Sequence, residues 1–254
     1  MPGKRKKKNI VLRLWAVAFW LIVWQIAAAC LKQEILLPSP VSTFVRLFEL
    51  IQELSFWQAI LFSFVRIIGG FLLACICGVL FAMLSARFSL LEQLVSPLIT
   101  TIKAVPVASF IILTLIWISS KNLSVFIAFL IVLPVIYTST FEGILHTDHK
   151  LLEMAHVFKI PFSRRLRFIY TPEVLPFFRA ACSVSLGLCW KAGTAAEVIG
   201  IPSGSIGEKL YQAKIFFDTS DLFAWTFVII FVSIAFEKLF LKLLDYLIGR
   251  LERD

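Results

Sequence analysis

Residues 58–84 read QAILFSFVRIIGGFLLACICGVLFAML, a run of 27 residues with one charge, Arg66. A helix needs about 20 apolar residues to cross the hydrocarbon core of a bilayer, so this stretch is long enough to cross with some tilt. Within it, Gly69, Gly70, Ala74 and Gly78 are small residues at spacings that let a neighbouring helix approach closely. Five further apolar runs lie near 10–31, 94–118, 123–145, 174–197 and 221–247. Composition agrees: 59% of the 254 residues are hydrophobic and only 16% charged, where soluble domains carry about half and a quarter. The mean hydropathy is +0.90. The expected fold is therefore all-α: a polytopic membrane protein of about six transmembrane helices, with residues 1–254 forming one integral domain, since no repeat, low-complexity tract or linker divides them.

The net charge of +9 is explained by topology better than by nucleic acid, because the basic residues sit in short segments between apolar runs. With six spans and a cytoplasmic N-terminus, 18 Lys and Arg fall inside and 5 outside. That bias places both termini, the basic tail 1–9 with its KRKKK at 4–8, and the segment 146–173 in the cytoplasm. The tail resembles the charged start of a signal peptide, but the apolar run behind it is about 20 residues long without a clear small-residue cleavage site, so the reading is a retained first span. Glu92, Pro97, Lys103 and Pro106 make the third run begin as a bent, partly interfacial segment.

No metal, cofactor or catalytic centre is expected. Cys30, Cys75, Cys77, Cys182 and Cys189 lie in or at the ends of apolar runs without zinc-ligand spacing and read as small buried hydrophobes. His146, His149 and His156 fall in a polar segment where solvated histidine is ordinary. The phosphate-binding G-x-x-x-x-G-K-[ST] loop is absent, and no soluble stretch is long enough for a nucleotide-binding domain, so the chain is not itself an ATPase.

Three segments carry the remaining signal. After the first span, LPSPVSTFVRLFELIQEL (37–54) spaces Phe44, Leu47, Phe48, Ile51 and Leu54 as an amphipathic helix on the outer surface, with Ser39 or Ser42 as its cap. In the fifth run, Trp190, Lys191 and Glu197 are candidates for a solute pathway: a cation deep in a span costs about 2.5–3.5 kcal/mol and pairs, snorkels or faces water. Between the fourth and fifth runs, LLEMAHVFKIPFSRRLRFIYTP (151–172) sets Leu151, Leu152, Ala155 and Phe158 on one helical stripe, expected to enter a groove of a partner with Ala155 at the contact. After Pro161, Arg164, Arg165 and Arg167 then hold the loop at the cytoplasmic headgroups.

This last segment, with Glu153-x-Ala155 and Ile169-x-x-Pro172, resembles the "EAA" cytoplasmic loop of permease subunits of binding-protein-dependent ABC importers of type I architecture. Leu37-Pro38-Ser39-Pro40, Ser63-x-x-Arg66-x-x-x-Gly70-Phe71, Pro97, Pro106, and Ala196-Glu197 followed by Gly204-x-Ile206-Gly207 are similar to the nitrate, sulfonate, taurine and bicarbonate branch. The resemblance implies a coupling helix in 146–173, with Glu153, Met154, Ala155, Phe158, Lys159 and Pro161 as ATPase-coupling residues. It further implies a prokaryotic plasma membrane, a second permease chain forming a homodimer, two ATPase subunits and an extracytoplasmic solute-binding protein, with a small anionic or aromatic solute. The family has Ala, Gly and Leu where this chain has Met154, Lys159 and Thr171. Loss of that glycine removes the easy left-handed turn and leaves Pro161 to break the helix. The alternative class is an ion-coupled secondary transporter, which needs intramembrane acids that the spans hardly supply.

Overall fold

The computed structural model describes the backbone of residues 3–251 and the side chains of 15–250, so the side chains of the basic tail lie outside the described residues. Every regular element is helical: α1 (Gly3–Leu31), α2 (Pro40–Ile51), α3 (Leu54–Arg87), α4 (Ser89–Ala104), α5 (Val107–Thr114), α6 (Ser120–Leu145), α7 (His149–Val157), α8 (Phe162–Arg165), a π-helical turn (Leu166–Tyr170), α9 (Thr171–Gly200), α10 (Ile206–Ile215) and α11 (Thr219–Leu251). By length and composition, α3 and α6 can each cross a membrane. The α4–α5 pair becomes a third only if counted as one bent element, because its halves meet at 103°. The break falls at Val105-Pro106, where proline has no N–H for the helical ladder and its ring pushes the preceding residue out of helical geometry.

Helix α6 lies between α3 and α9 and packs along both, and α11 closes against α2, α9 and α10. The α3–α6 contact explains the small residues. A Cβ on Gly70 would come 2.3 Å from the Val125 carbonyl oxygen, one on Gly78 would come 2.9 Å from Ile136 Cγ2, and Ala74 between them is fully buried. Gly70, Ala74 and Gly78 thus form a continuous shallow groove at four-residue spacing that α6 fills. Gly69 faces open space and takes no part. Beneath the groove, Ile67, Phe71, Ile136, Leu186, Cys182, Cys189 and Trp190 make the main core. The outward faces of α3 carry exposed Leu72, Leu73, Ile76 and Leu80, as a helix bathed in lipid requires.

Ser39 is the cap of α2, accepting from the Ser42 N–H at 3.0 Å. Pro40, Thr43 and Leu50 are buried with Leu47 against α11, whereas Phe44, Phe48 and Ile51 remain exposed. Arg46 fixes that roll through a 2.9 Å ion pair with Asp221 of α11.

Candidate functional site

The loop between α6 and α9 is built by local chemistry. Asp148 caps α7, its carboxylate accepting from the Lys150 N–H at 2.8 Å. At the other end the Lys159 N–H donates to the His156 carbonyl (3.1 Å) and the Ile160 N–H to the Ala155 carbonyl (2.9 Å), the paired bonds of a Schellman stop. Such a stop requires a left-handed residue, and Lys159 supplies it with φ 51°. The turn expected to be lost with the glycine is therefore kept, under strain, and Pro161 only starts α8. A side chain in this region costs about 1–2 kcal/mol. Lys159→Gly is expected to stabilise the loop by about 0.5–1 kcal/mol, glycine's greater freedom in the unfolded chain offsetting part of the relief. Slower amide exchange across α7 would confirm this, and unchanged exchange would refute it.

The roll of α7 turns Ala155 toward the chain itself. Ala155 is 1% exposed and Leu151 and Leu152 are half-buried, so that stripe rests on the chain itself. Only a small residue at 155 lets the helix lie so close. Met154 (44%), Val157 (75%) and Phe158 (73%) are the exposed apolar side chains, at spacings that make one outward patch. Glu153, Lys159 and Pro161 are exposed beside it. Sequence reasoning passed over Val157 because α7 is apolar on more than one face.

At the opposite end of the helices a second constellation forms. Glu197, wholly buried on the last turn of α9, accepts through Oε2 from Ser63 Oγ of α3 (2.6 Å) and from the Gly207 N–H of α10 (3.3 Å). Ser63 Oγ also accepts from the Ile206 N–H at 2.9 Å. The carboxylate and the Ser63 hydroxyl thus join three helices and satisfy the Gly207 and Ile206 N–H groups at the start of α10, which that helix cannot bond itself. Ser205, also buried, adds its own cap by accepting from the Glu208 N–H (2.9 Å), while Glu208 accepts from the Gly204 N–H (2.6 Å). Next to this knot Arg66 donates to the Lys121 carbonyl at 2.5 Å and lies 3.5 Å over the Phe62 ring, tying α3 to α6. Of the pathway candidates, Trp190 and Glu197 are buried inside a single chain and Lys191 alone is exposed. Trp190 packs on Phe64.

Residues 74–253 match the family described as binding-protein-dependent transport system inner membrane component. The chain belongs to this family. Its relatives include a putative aliphatic sulfonates transport permease protein of Bacillus subtilis, 27% identical over 99% of this chain and 88% of that protein. A bicarbonate transport system permease protein of Synechococcus elongatus is 26% identical over 80% of this chain and 76% of that one. A riboflavin transport system permease protein of Chloroflexus aurantiacus is 27% identical over 92% and 84%. The match holds α7, the loop and most of the Glu197 knot, leaving Ser63 before its start. As an ABC transport permease, this inner membrane component is a multi-pass plasma-membrane protein, and its family implies a separate ATPase and a solute-binding protein.

Proposed function

We propose that this chain and a second permease chain, in the simplest case an identical one, form the pathway of an importer for a small anionic solute. An extracytoplasmic binding protein delivers the solute, and two ATPase subunits dock on α7. The observation that carries this reading is the exposed patch Met154, Val157 and Phe158, held outward by the buried seat at Ala155 on the loop joining α6 to α9. A helix so seated transmits displacement directly to two long helices, as rigid-body alternating access requires. Co-purification of an ATPase subunit with the chain tests the reading, and its absence from a functional transporter would refute it. Ion-coupled transport has no comparable support: Glu197 is engaged by Ser63 and Gly207 inside one chain.

The proposed topology has six crossings, with α1, α3, the α4–α5 bend, α6, α9 and α11 in turn and both termini in the cytoplasm. Single cysteines at 34 and 203 should react with an impermeant maleimide in intact cells and one at 150 should not. Labelling at 150 would overturn the map.

The anionic class rests on Lys191, an exposed cation next to buried Trp190 on α9. The relatives' sulfonate and bicarbonate names are consistent with it. Lys191→Met keeps the apolar stem and removes the charge. Uptake efficiency is expected to fall about tenfold or more, the loss of one charge-assisted contact, with assembly and basal ATP hydrolysis unchanged. Normal uptake would leave Lys191 as a snorkelling lysine.

A further inference from the structure

A groove of about 630 Å³ opens where the inner ends of α3 and α6 meet the loop and the first turns of α9. Val79, Ile144, Leu166 and Phe178 make its walls apolar. Arg87, Thr140, Tyr170 and Thr171 interrupt them with polar groups. Thr140 is 1% exposed, and its buried hydroxyl has no hydrogen-bond partner. Arg87, the last residue of α3, stands at the rim and forms no ion pair among the described residues. Arg165, adjacent in the chain to Leu166, buries its Nε without a partner.

Each feature constrains an occupant. The volume lies within the roughly 300–1,000 Å³ of small-molecule sites, and the walls select a hydrocarbon. Buried donors left unpaired are costly, so the occupant must bring acceptors, and guanidinium groups select an anion. With the loop cytoplasmic as proposed above, Arg87 lies at the level of the inner headgroups. Thr140 lies five residues before the end of α6, one to two helical turns deeper. The order from surface to depth is therefore cation, hydroxyl, hydrocarbon.

We infer that this groove is a binding site for an anionic phospholipid of the cytoplasmic leaflet, with its phosphate at Arg87, beside the loop that carries Arg165, an ester oxygen at the Thr140 hydroxyl and an acyl chain along Val79, Ile144 and Phe178. Charge complementarity and the unpartnered buried donors favour this occupant over a second copy of the chain, which would satisfy the walls but not the guanidinium groups. The lipid would touch the loop at Leu166 and Tyr170 and the helices at Val79 and Thr140 at once, bridging the parts that transport must move. The site depends on the proposed inside-outside map but not on the solute.

The test is native mass spectrometry of the intact complex after equilibration with phosphatidylglycerol and phosphatidylcholine in mixed micelles. The wild type should retain phosphatidylglycerol about fivefold over phosphatidylcholine, the value of one basic contact to an anionic surface. Arg87→Gln should remove most of that preference, Thr140→Val should weaken retention of both lipids, and Ala86→Trp should block the groove to both. Equal retention of the two lipids by wild type, preference unchanged in Arg87→Gln, or a groove found covered by the second permease chain would overturn the proposal. If Ala86→Trp does not assemble, the first two variants decide the question alone.

Discussion

Gly207→Ala is expected to leave little folded permease in the membrane. A Cβ at this position would lie 2.3 Å from Glu197 Cβ, 2.4 Å from the Glu197 carbonyl carbon and 2.6 Å from the Val198 nitrogen. Two of these three atoms are backbone in the final turn of α9, so no rotamer change relieves the clash and α10 must move away. That movement breaks the bonds from the Gly207 N–H to Glu197 Oε2 and from the Ile206 N–H to Ser63 Oγ, leaving a buried carboxylate, whose Oε1 already has no partner, with Ser63 as its one donor. Overpacking costs about 1–3 kcal/mol and the stripped carboxylate at least as much again, a large part of the 5–15 kcal/mol that holds most folds together. Gly187→Ala is the control. Its Cβ meets nothing within 4 Å, and in mid-helix alanine gains about 0.5–1 kcal/mol over glycine. Yield and thermal unfolding of the two purified variants should move in opposite directions, and equal behaviour would refute the account of the Glu197 knot.

Phe158→Asp is expected to leave the chain inserted and folded but to reduce ATP-driven uptake about thirtyfold or more. The side chain is 73% exposed and forms the centre of the α7 patch, so aspartate is harmless to the free chain. Inside a docked interface it becomes an unpaired buried charge in place of an aromatic anchor, a loss of at least about 2 kcal/mol. Ala155→Asp must fail differently: with 1% exposure it forces a charge between α7 and its own chain, so the loop itself loosens and resists proteolysis less. Measuring uptake and loop proteolysis for both variants separates docking from seating. Normal uptake by Phe158→Asp would remove the patch from the mechanism.

Much of the scaffold is legible without coordinates because it follows from local rules. The apolar runs give α3 and α6, Pro106 marks the bend, Ser39 caps α2, and the Gly70, Ala74, Gly78 spacing announces the helix contact. The Glu197 knot is not legible in the same way. Ser63 and Glu197 are 134 positions apart, and each alone reads as an ordinary polar residue at a span end. Glu197 stood out as an acid in the fifth run and Ser63 through the resemblance, and neither signal says that they touch. The roll of α7 escaped for another reason. Leu151, Leu152 and Ala155 form one apolar stripe and Met154, Val157 and Phe158 another, and periodicity cannot say which of two stripes meets its own chain. Lys159 shows the limit of propensity: the tertiary setting holds a lysine in a glycine's conformation, and the sequence alone argues for a different turn.

Site-specific cross-linking tests the central claim that α7 presents its Met154, Val157 and Phe158 side to an ATPase. Single cysteines at positions 155 and 157, in a cysteine-free chain co-expressed with its ATPase, are treated with a short thiol-reactive photo-cross-linker. The account predicts a permease–ATPase adduct from Val157→Cys and none from Ala155→Cys. An adduct from position 155 equal to that from 157, or none from 157 in a complex that still transports, would contradict it.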